Sequence, residues 1–240
     1  MLDENNEEII INSYNDKNVL NKYIESRIDI NSPHNKTIKE KLFDLVGNYS
    51  EKTILDLGCG IGVFSKDFSG KAKKVVGIDI SEKCIEYAET KNYADNVDYL
   101  VMDINNLDTI DEKFDIVFSD MVFNYIEDYN KLLFNIYNLL NDNGIVVFSQ
   151  VHPISTASLG ESSWVKEDNK LRFKLDNYSN VSKRYRIYFE GNFELYHRRF
   201  EELINIAIKN NFEIVDLYEP YVSEKEYNRP SFLLMKLRKK

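Results

Sequence analysis

Apolar positions along this chain fall into two rhythms. From position 53 onward, short runs dense in Ile, Val, Leu and Phe alternate with stretches whose apolar residues recur every three or four positions. The runs at 53–57, 74–78, 97–102, 114–119 and 144–151 are apolar almost throughout, as strands buried on both faces must be. The stretches between them predict helices. Ser81 stands as an N-cap with Glu82 in the first turn, and Ile85 and Ala88 share a face behind it. Leu132, Leu133, Ile136 and Leu140 line one stripe of a helix over 129–140, which runs into the stop signal Asn143-Gly144. Strand and helix in this alternation predict an α/β fold with crossovers into a parallel sheet.

Two regions leave the rhythm. Residues 1–50 precede the first strand and carry a helical pattern at 38–46, so they form an N-terminal helical extension. Residues 151–195 bring Pro153, the Ser-rich STASLGESS, Trp164 and the aromatic and basic SKRYRIYFEGNFELY. A segment of that length between core elements covers something, and it is expected as a cover inserted in a domain spanning 51–240. Helical spacing returns with Phe200, Leu203, Ile204, Ala207 and Ile208, followed by strand candidates at 213–218 and 231–237.

Composition narrows the setting. A chain of 240 residues buries about 70–75% of its unfolded surface, enough for one main domain with an elaboration. Hydrophobic residues are 43% and charged residues 30%, and no apolar run approaches the ~18 positions of a membrane span. The start, MLDENNEEIIINSYNDKN, is acidic and lacks the basic-then-apolar order of an export signal, so a cytoplasmic protein away from membranes is expected. A net charge of -9 disfavours nucleic acid as partner. Cys59 and Cys84 lack metal-ligand spacing and read as reduced thiols, with no metal site expected.

The chemistry concentrates in LDLGCGIG, where Gly58, Gly60 and Gly62 fall between the first strand and the next helix. Residues without a Cβ let main chain approach a ligand closely, and the carboxyl end of the first strand is where doubly wound sheets bind ligands. The dinucleotide fingerprint G-x-G-x-x-G fails in both registers, since Val63 and Ser65 stand where its third glycine belongs. Asp56, two positions before Gly58, suits a ligand bearing an ammonium group better than a pyrophosphate. Asp79 in VVGIDIS follows at about the ~20-residue distance of an acid that hydrogen-bonds ribose hydroxyls.

This stretch resembles motif I of the class I S-adenosylmethionine-dependent methyltransferases. YLVMDIN, FDIVFSDMVFNYI and LLNDNGIVVFS resemble, in order, the third-strand, fourth-strand and fifth-strand motifs of the same family. The resemblance implies a Rossmann-like, doubly wound, seven-stranded sheet, mostly parallel with an antiparallel last strand. It implies S-adenosylmethionine as cofactor, S-adenosylhomocysteine as product and a small-molecule acceptor methylated on oxygen or nitrogen. By the same resemblance Gly58 and Gly60 give the cofactor room and Asp56 lies near its methionine end. Asp79 takes the ribose, Ile80 and Ile104 flank the adenine with Asp103 beside it, and Ser119 faces the methionine moiety. Tyr14, Tyr23 and Arg27 resemble residues that fold over the cofactor in small-molecule members. A narrower likeness, to bacterial small-molecule methyltransferases, rests on VHP, Trp164, YHR, Glu219-Pro220 and Arg229-Pro230.

Positioning an acceptor and excluding water accelerate methyl transfer without a protein nucleophile, so no catalytic motif is required. A general base helps where the acceptor is a hydroxyl or an ammonium. His152, after the fifth strand in QVHPIS, and His197, opening the late helix in YHRRF, are the candidates, each set against a capping role; His34 reads as loop structure. Many family members carry a histidine where Asn124 stands. Lys183, Arg184 and Arg186 attract an acidic acceptor or form a solvated face. The competing functions are a non-catalytic S-adenosylmethionine-binding regulatory module and a nicotinamide-dependent oxidoreductase, the latter disfavoured by Val63 and Ser65.

Overall fold

A computed structural model describes residues 13–29, 31–32, 34–159, 164–220 and 230–240. The acidic start, Arg229, part of STASLGESS and the side chain of Trp164 lie outside the described part. In chain order the helices are α1 (Lys17–Ile28), α2 (Glu40–Val46), α3 (Val63–Ser69), α4 (Glu82–Lys91), α5 (Tyr129–Leu139), α6 (Pro153–Thr156) and α7 (Phe200–Lys209). The strands are β1 (Thr53–Leu57), β2 (Lys74–Asp79), β3 (Val97–Val101), β4 (Phe114–Asp120), β5 (Leu140–Val151), the pair β6 (Trp164–Glu167) and β7 (Lys170–Phe173), the pair β8 (Lys183–Tyr188) and β9 (Gly191–Tyr196), then β10 (Phe212–Tyr218) and β11 (Phe232–Lys239).

Seven strands form one sheet in the order β10-β11-β5-β4-β1-β2-β3, and β11 runs antiparallel to both its neighbours. Order reverses between β1 and β4, which places the tips of β1, β2 and β4 around the topological switch point. Alternate strand residues feed opposite faces. Leu55, Leu57, Val76, Ile78 and Phe148 pack with Leu132, Leu133 and Ile136 of α5 and Leu203 and Ala207 of α7. Ile54, Val75, Phe118, Val147 and Leu234 pack with Leu42 and Leu45 of α2, Phe64 and Phe68 of α3 and Ile85 and Ala88 of α4. Each fully buried side chain of this size contributes about 1.5–3 kcal/mol, so both layers are required. Through Leu42 and Leu45, the stretch before β1 shares the core of the sheet.

Local signals hold where predicted. The Ser81 hydroxyl accepts the Cys84 N–H at 3.2 Å and caps α4, behind which Cys84, Ile85 and Ala88 are buried. At the other helix the boundary moves: α5 ends at Leu139, and β5 begins at Leu140, opposite Phe114. Asn143, with φ +59°, lies inside the strand, at an irregular register that Asn accommodates in the left-handed region. The cover also differs, since it contains two antiparallel hairpins, β6–β7 and β8–β9, that the sequence pattern does not announce. Among the described residues no helix is long and apolar enough to cross a membrane.

Candidate active site

Beyond Leu57 the chain turns through residues 58–62 into α3. Gly58 and Gly60 adopt φ +68° and +54°, conformations that other residues enter only under strain. A Cβ at Gly60 would collide with the Tyr23 hydroxyl, and one at Gly58 with the side chain of Val122. The turn is locked to its neighbour strand: the Gly60 N–H donates to Asp79 Oδ2 at 2.9 Å, and the Ser81 N–H to Asp79 Oδ1 at 2.8 Å. Burial pushes the Asp79 carboxyl above the ordinary carboxylate value, against the hydrogen bonds from Ser81, Gly60 and Ile80. Ile80 lies just beyond the tip of β2 and is 45% exposed.

Neighbouring tips complete one edge. Asp103 follows β3 and accepts the Asn105 N–H at 2.8 Å, capping a short helix whose first residue, Ile104, packs on the core. Asp56 lies beneath the turn, buried, and accepts the Ser65 hydroxyl at 2.6 Å. Burial raises its carboxyl to about 7, with the Ser65 bond and the Arg27 charge opposing and the Asp120 charge reinforcing. Ser119 is buried in β4 and its hydroxyl donates to the Leu57 carbonyl at 2.8 Å. Thus Asp56, Gly58, Gly60, Asp79, Ile80, Asp103 and Ile104 converge on adjacent strand tips, while the Ser119 hydroxyl serves the sheet.

The stretch before the sheet folds over this edge. Asp16 caps α1, accepting the Asn18 N–H at 2.8 Å and the Val19 N–H at 3.1 Å. The rings of Tyr14 and Tyr23 lie 4.8 Å apart, and that of Tyr23 lies 5.5 Å from Phe189 of the cover. Arg27 pairs with Asp120 at 2.8 Å, and His34 Nε2 reaches the same carboxylate at 3.0 Å. The Ser149 hydroxyl donates to it at 2.6 Å. Burial would raise the Asp120 carboxyl, but the His34 and Arg27 charges and these hydrogen bonds hold it well below the usual carboxylate range. Asp120 is marked in the sequence only by its place after Ser119 at the end of a buried strand, and His34, expected as loop structure, here joins it through a side-chain contact.

Both candidate bases are capped. His152 is buried; its Nδ1 accepts the Ile154 N–H at 3.1 Å, which leaves the proton on Nε2 to face Glu219 at 2.8 Å. His197 Nε2 donates to the Tyr178 carbonyl at 2.9 Å and Nδ1 contacts the Thr156 hydroxyl at 2.7 Å. Burial pushes the His197 pKa down. In this conformation each ring spends both nitrogens on the fold. The basic run also departs from expectation: Lys183 is exposed and paired with Glu194, whereas Arg184 and Arg186 are buried. Among the described residues no group of three His, Cys, Asp or Glu is placed to hold a metal ion.

A glycine turn at the switch point of a seven-stranded sheet with one antiparallel strand, braced by an acid at the next strand tip, defines the class I S-adenosylmethionine-dependent methyltransferases. The chain belongs to the methyltransferase-domain family, whose model matches residues 48–214, and it is an enzyme of that class. An uncharacterized protein of Haemophilus influenzae is 32% identical over 95% of this chain and 97% of its own length. The malonyl-[acyl-carrier protein] O-methyltransferase of Hamiltonella defensa is 29% identical over 56% of this chain; the match spans 51% of that enzyme, about half its length. A crystal structure from Listeria monocytogenes, assigned there to the S-adenosylmethionine-dependent methyltransferases, is 30% identical with a TM-score of 0.77, over 84% of this chain and 97% of that one. S-adenosylmethionine is accordingly the cofactor of this class of enzyme and of this chain.

Proposed function

We propose that this enzyme moves the methyl group of S-adenosylmethionine to an oxygen or nitrogen of a small-molecule acceptor. The observation that carries the reading is the bond from Gly60 N–H to Asp79, which fixes a side-chain-free main chain beside a carboxylate at the sheet edge. These residues fit the cofactor: Gly58 and Gly60 have no room for a Cβ, and Asp56, Asp79 and Asp103 stand at the ends of β1, β2 and β3. When bound, the cofactor supplies an electrophilic methyl carbon on a sulfonium sulfur.

In this reading Asp79 holds the ribose hydroxyls, Ile80 and Ile104 sandwich the adenine, and Asp103 accepts from its amino group. Asp56 offers negative charge to the ammonium at the methionine end, and Ser119 keeps the tip of β4 in register against β1. Tyr14, Tyr23 and Arg27 close over the cofactor, so that water is excluded where the methyl moves. In this reading the half-buried rings of Tyr14 and Tyr23 would attract the sulfonium through their faces. Relatives named as O-methyltransferases support oxygen over nitrogen. The test is incubation with methyl-labelled S-adenosylmethionine and an acceptor panel. Labelled product with stoichiometric S-adenosylhomocysteine is expected; saturable cofactor binding without turnover on any acceptor would reduce the chain to a binding module.

A further inference from the structure

The cover contains two hairpins that share one kind of turn and build it from different residues. Glu167 pairs with Lys170 and Tyr188 with Gly191, so each hairpin closes through two residues. Both central φ angles are positive in each: +50° and +61° at Asp168 and Asn169, +53° and +65° at Phe189 and Glu190. A two-residue hairpin loop with both angles positive is the type I′ turn, which matches the twist of paired strands and needs residues that tolerate the left-handed region. Asp and Asn meet that need at the tip of β6–β7. Phe and Glu do not, and a bulky side chain in this region is strained. Gly191, free to take such an angle, stands one position too late, as the first residue of β9.

Strain of this kind persists only where the surroundings over-determine the conformation, and it gathers at ligand clamps and switches. At the tip of β8–β9 the surroundings belong to the stretch before the sheet. The Phe189 ring meets Tyr23 edge-on with centroids 5.5 Å apart and lies 6.4 Å from Tyr14. Glu190 pairs with Lys22. Buried Val19 belongs to the same cluster as Phe189, so Val19, Lys22 and Tyr23, at i, i+3 and i+4 of α1, form the face that meets the hairpin. The ion pair is exposed at both ends, 43% and 69%, and such pairs contribute little. The aromatic contact therefore carries the junction.

Through Tyr23 this junction reaches the site. The Tyr23 hydroxyl stands where a Cβ on Gly60 would be, and the Gly60 N–H is the donor to Asp79. Below Tyr23, Arg27 anchors α1 on Asp120. Ahead of α1, the Asn15 side chain accepts the Ser81 hydroxyl at 2.7 Å. These anchors tie both ends of the stretch to the sheet edge, while Phe189 meets its middle. Arg184 holds the opposite end of the hairpin, at the base, so the tip depends on its own contacts with α1.

We propose that Phe189 is a positioning residue: the strained tip of β8–β9 holds Tyr23 against the glycine turn, and that hold sets how long the cofactor stays bound. The turn accepts an unfavourable residue pair because the Phe189 ring is needed where it lies. The proposal rests on the methyltransferase reading above and gives the cover a part in retaining the cofactor, separate from any contact with the acceptor.

The test uses the full chain, loaded with labelled S-adenosylmethionine and chased with excess unlabelled S-adenosylhomocysteine. The double variant F189N/E190G writes the relaxed Asn-Gly turn at the tip, so its unfolding temperature should equal or exceed that of the wild type. Its cofactor should nevertheless dissociate at least ~10-fold faster, with association not slowed. Phe189→Tyr keeps the ring and should retain most of the hold. D168N/N169G, the same exchange at the other tip, should leave dissociation as in the wild type. A wild-type dissociation rate in F189N/E190G, faster release accompanied by a lower unfolding temperature, or equal release from D168N/N169G overturns the proposal. Should F189N/E190G fail to fold, Phe189→Leu decides by the same chase: faster release supports the hold, and a wild-type rate overturns it. Absence of cofactor binding by the wild type would instead remove the reading beneath it.

Discussion

Asp56 shows how a single carboxylate joins fold and cofactor. Burial holds its proton to about pH 7, far above its ordinary 3.8. Its contribution to stability is fully present below the unfolded pKa and is lost as pH rises through the folded one. An ammonium placed beside it favours the ionised form, so cofactor affinity should rise between about pH 5.5 and 7.5, a range in which an α-amino group stays largely protonated. Calorimetric titrations with S-adenosylhomocysteine across that range check this; Asp56→Asn should flatten the profile, and a flat wild-type profile would refute the placement. Asp120 tests the cap. Asp120→Asn leaves Arg27 facing an uncharged amide in a buried setting, which should cost about 3 kcal/mol in urea denaturation, whereas a loss below ~0.5 kcal/mol would mean that the pair is solvent-screened. Asp56 and Asp79 were legible in the sequence because they flank glycines at a strand end. Asp120 was not, since its partners Arg27 and His34 lie 93 and 86 positions earlier in the chain and no local pattern joins them.

At the scale of elements, legibility followed periodicity. Strands buried on both faces and helices with apolar stripes declare themselves, and the observed ends of β1, β2 and β4 fall within a residue of those expected. The β8–β9 hairpin stayed hidden because its inward positions are Arg184, Arg186 and Tyr188, while its outward ones include Ile187, 55% exposed. Alternation is present, but polarity is reversed and the usual rule reads it as surface. Arg184 tests what holds this hairpin. It ties β8 to the end of α6 and to the chain at residues 177–182, so Arg184→Met should speed limited proteolysis within 174–182 while cofactor affinity stays within about two-fold. Unchanged cleavage would show that the hairpin is held elsewhere.

The whole molecule is a sheet whose two faces carry separate apolar layers, with the proposed cofactor groups at one edge and in the N-terminal stretch that packs over it. Phe118 illustrates the division: fully buried between Phe64 and Phe68, it supports the layer beneath the glycine turn without touching the edge. Phe118→Ala should lower stability by about 3–5 kcal/mol in denaturant titration; a loss under ~1 kcal/mol would show a core that collapses around the gap. Fold class was readable, and with it the strand tips proposed for the cofactor, because a doubly wound sheet ties ligand position to strand order. The contacts that α1 and the β8–β9 hairpin make over the glycine turn were not, because they join segments with no shared spacing. The central claim is that the Gly58–Gly60 turn and Asp79 hold S-adenosylmethionine. Isothermal calorimetry of S-adenosylhomocysteine against wild type and Asp79→Ala tests it most directly. One-site binding weakened at least ~10-fold by the substitution, with no heat from NAD, is the predicted result; unchanged affinity in Asp79→Ala, or saturable NAD binding, would contradict it.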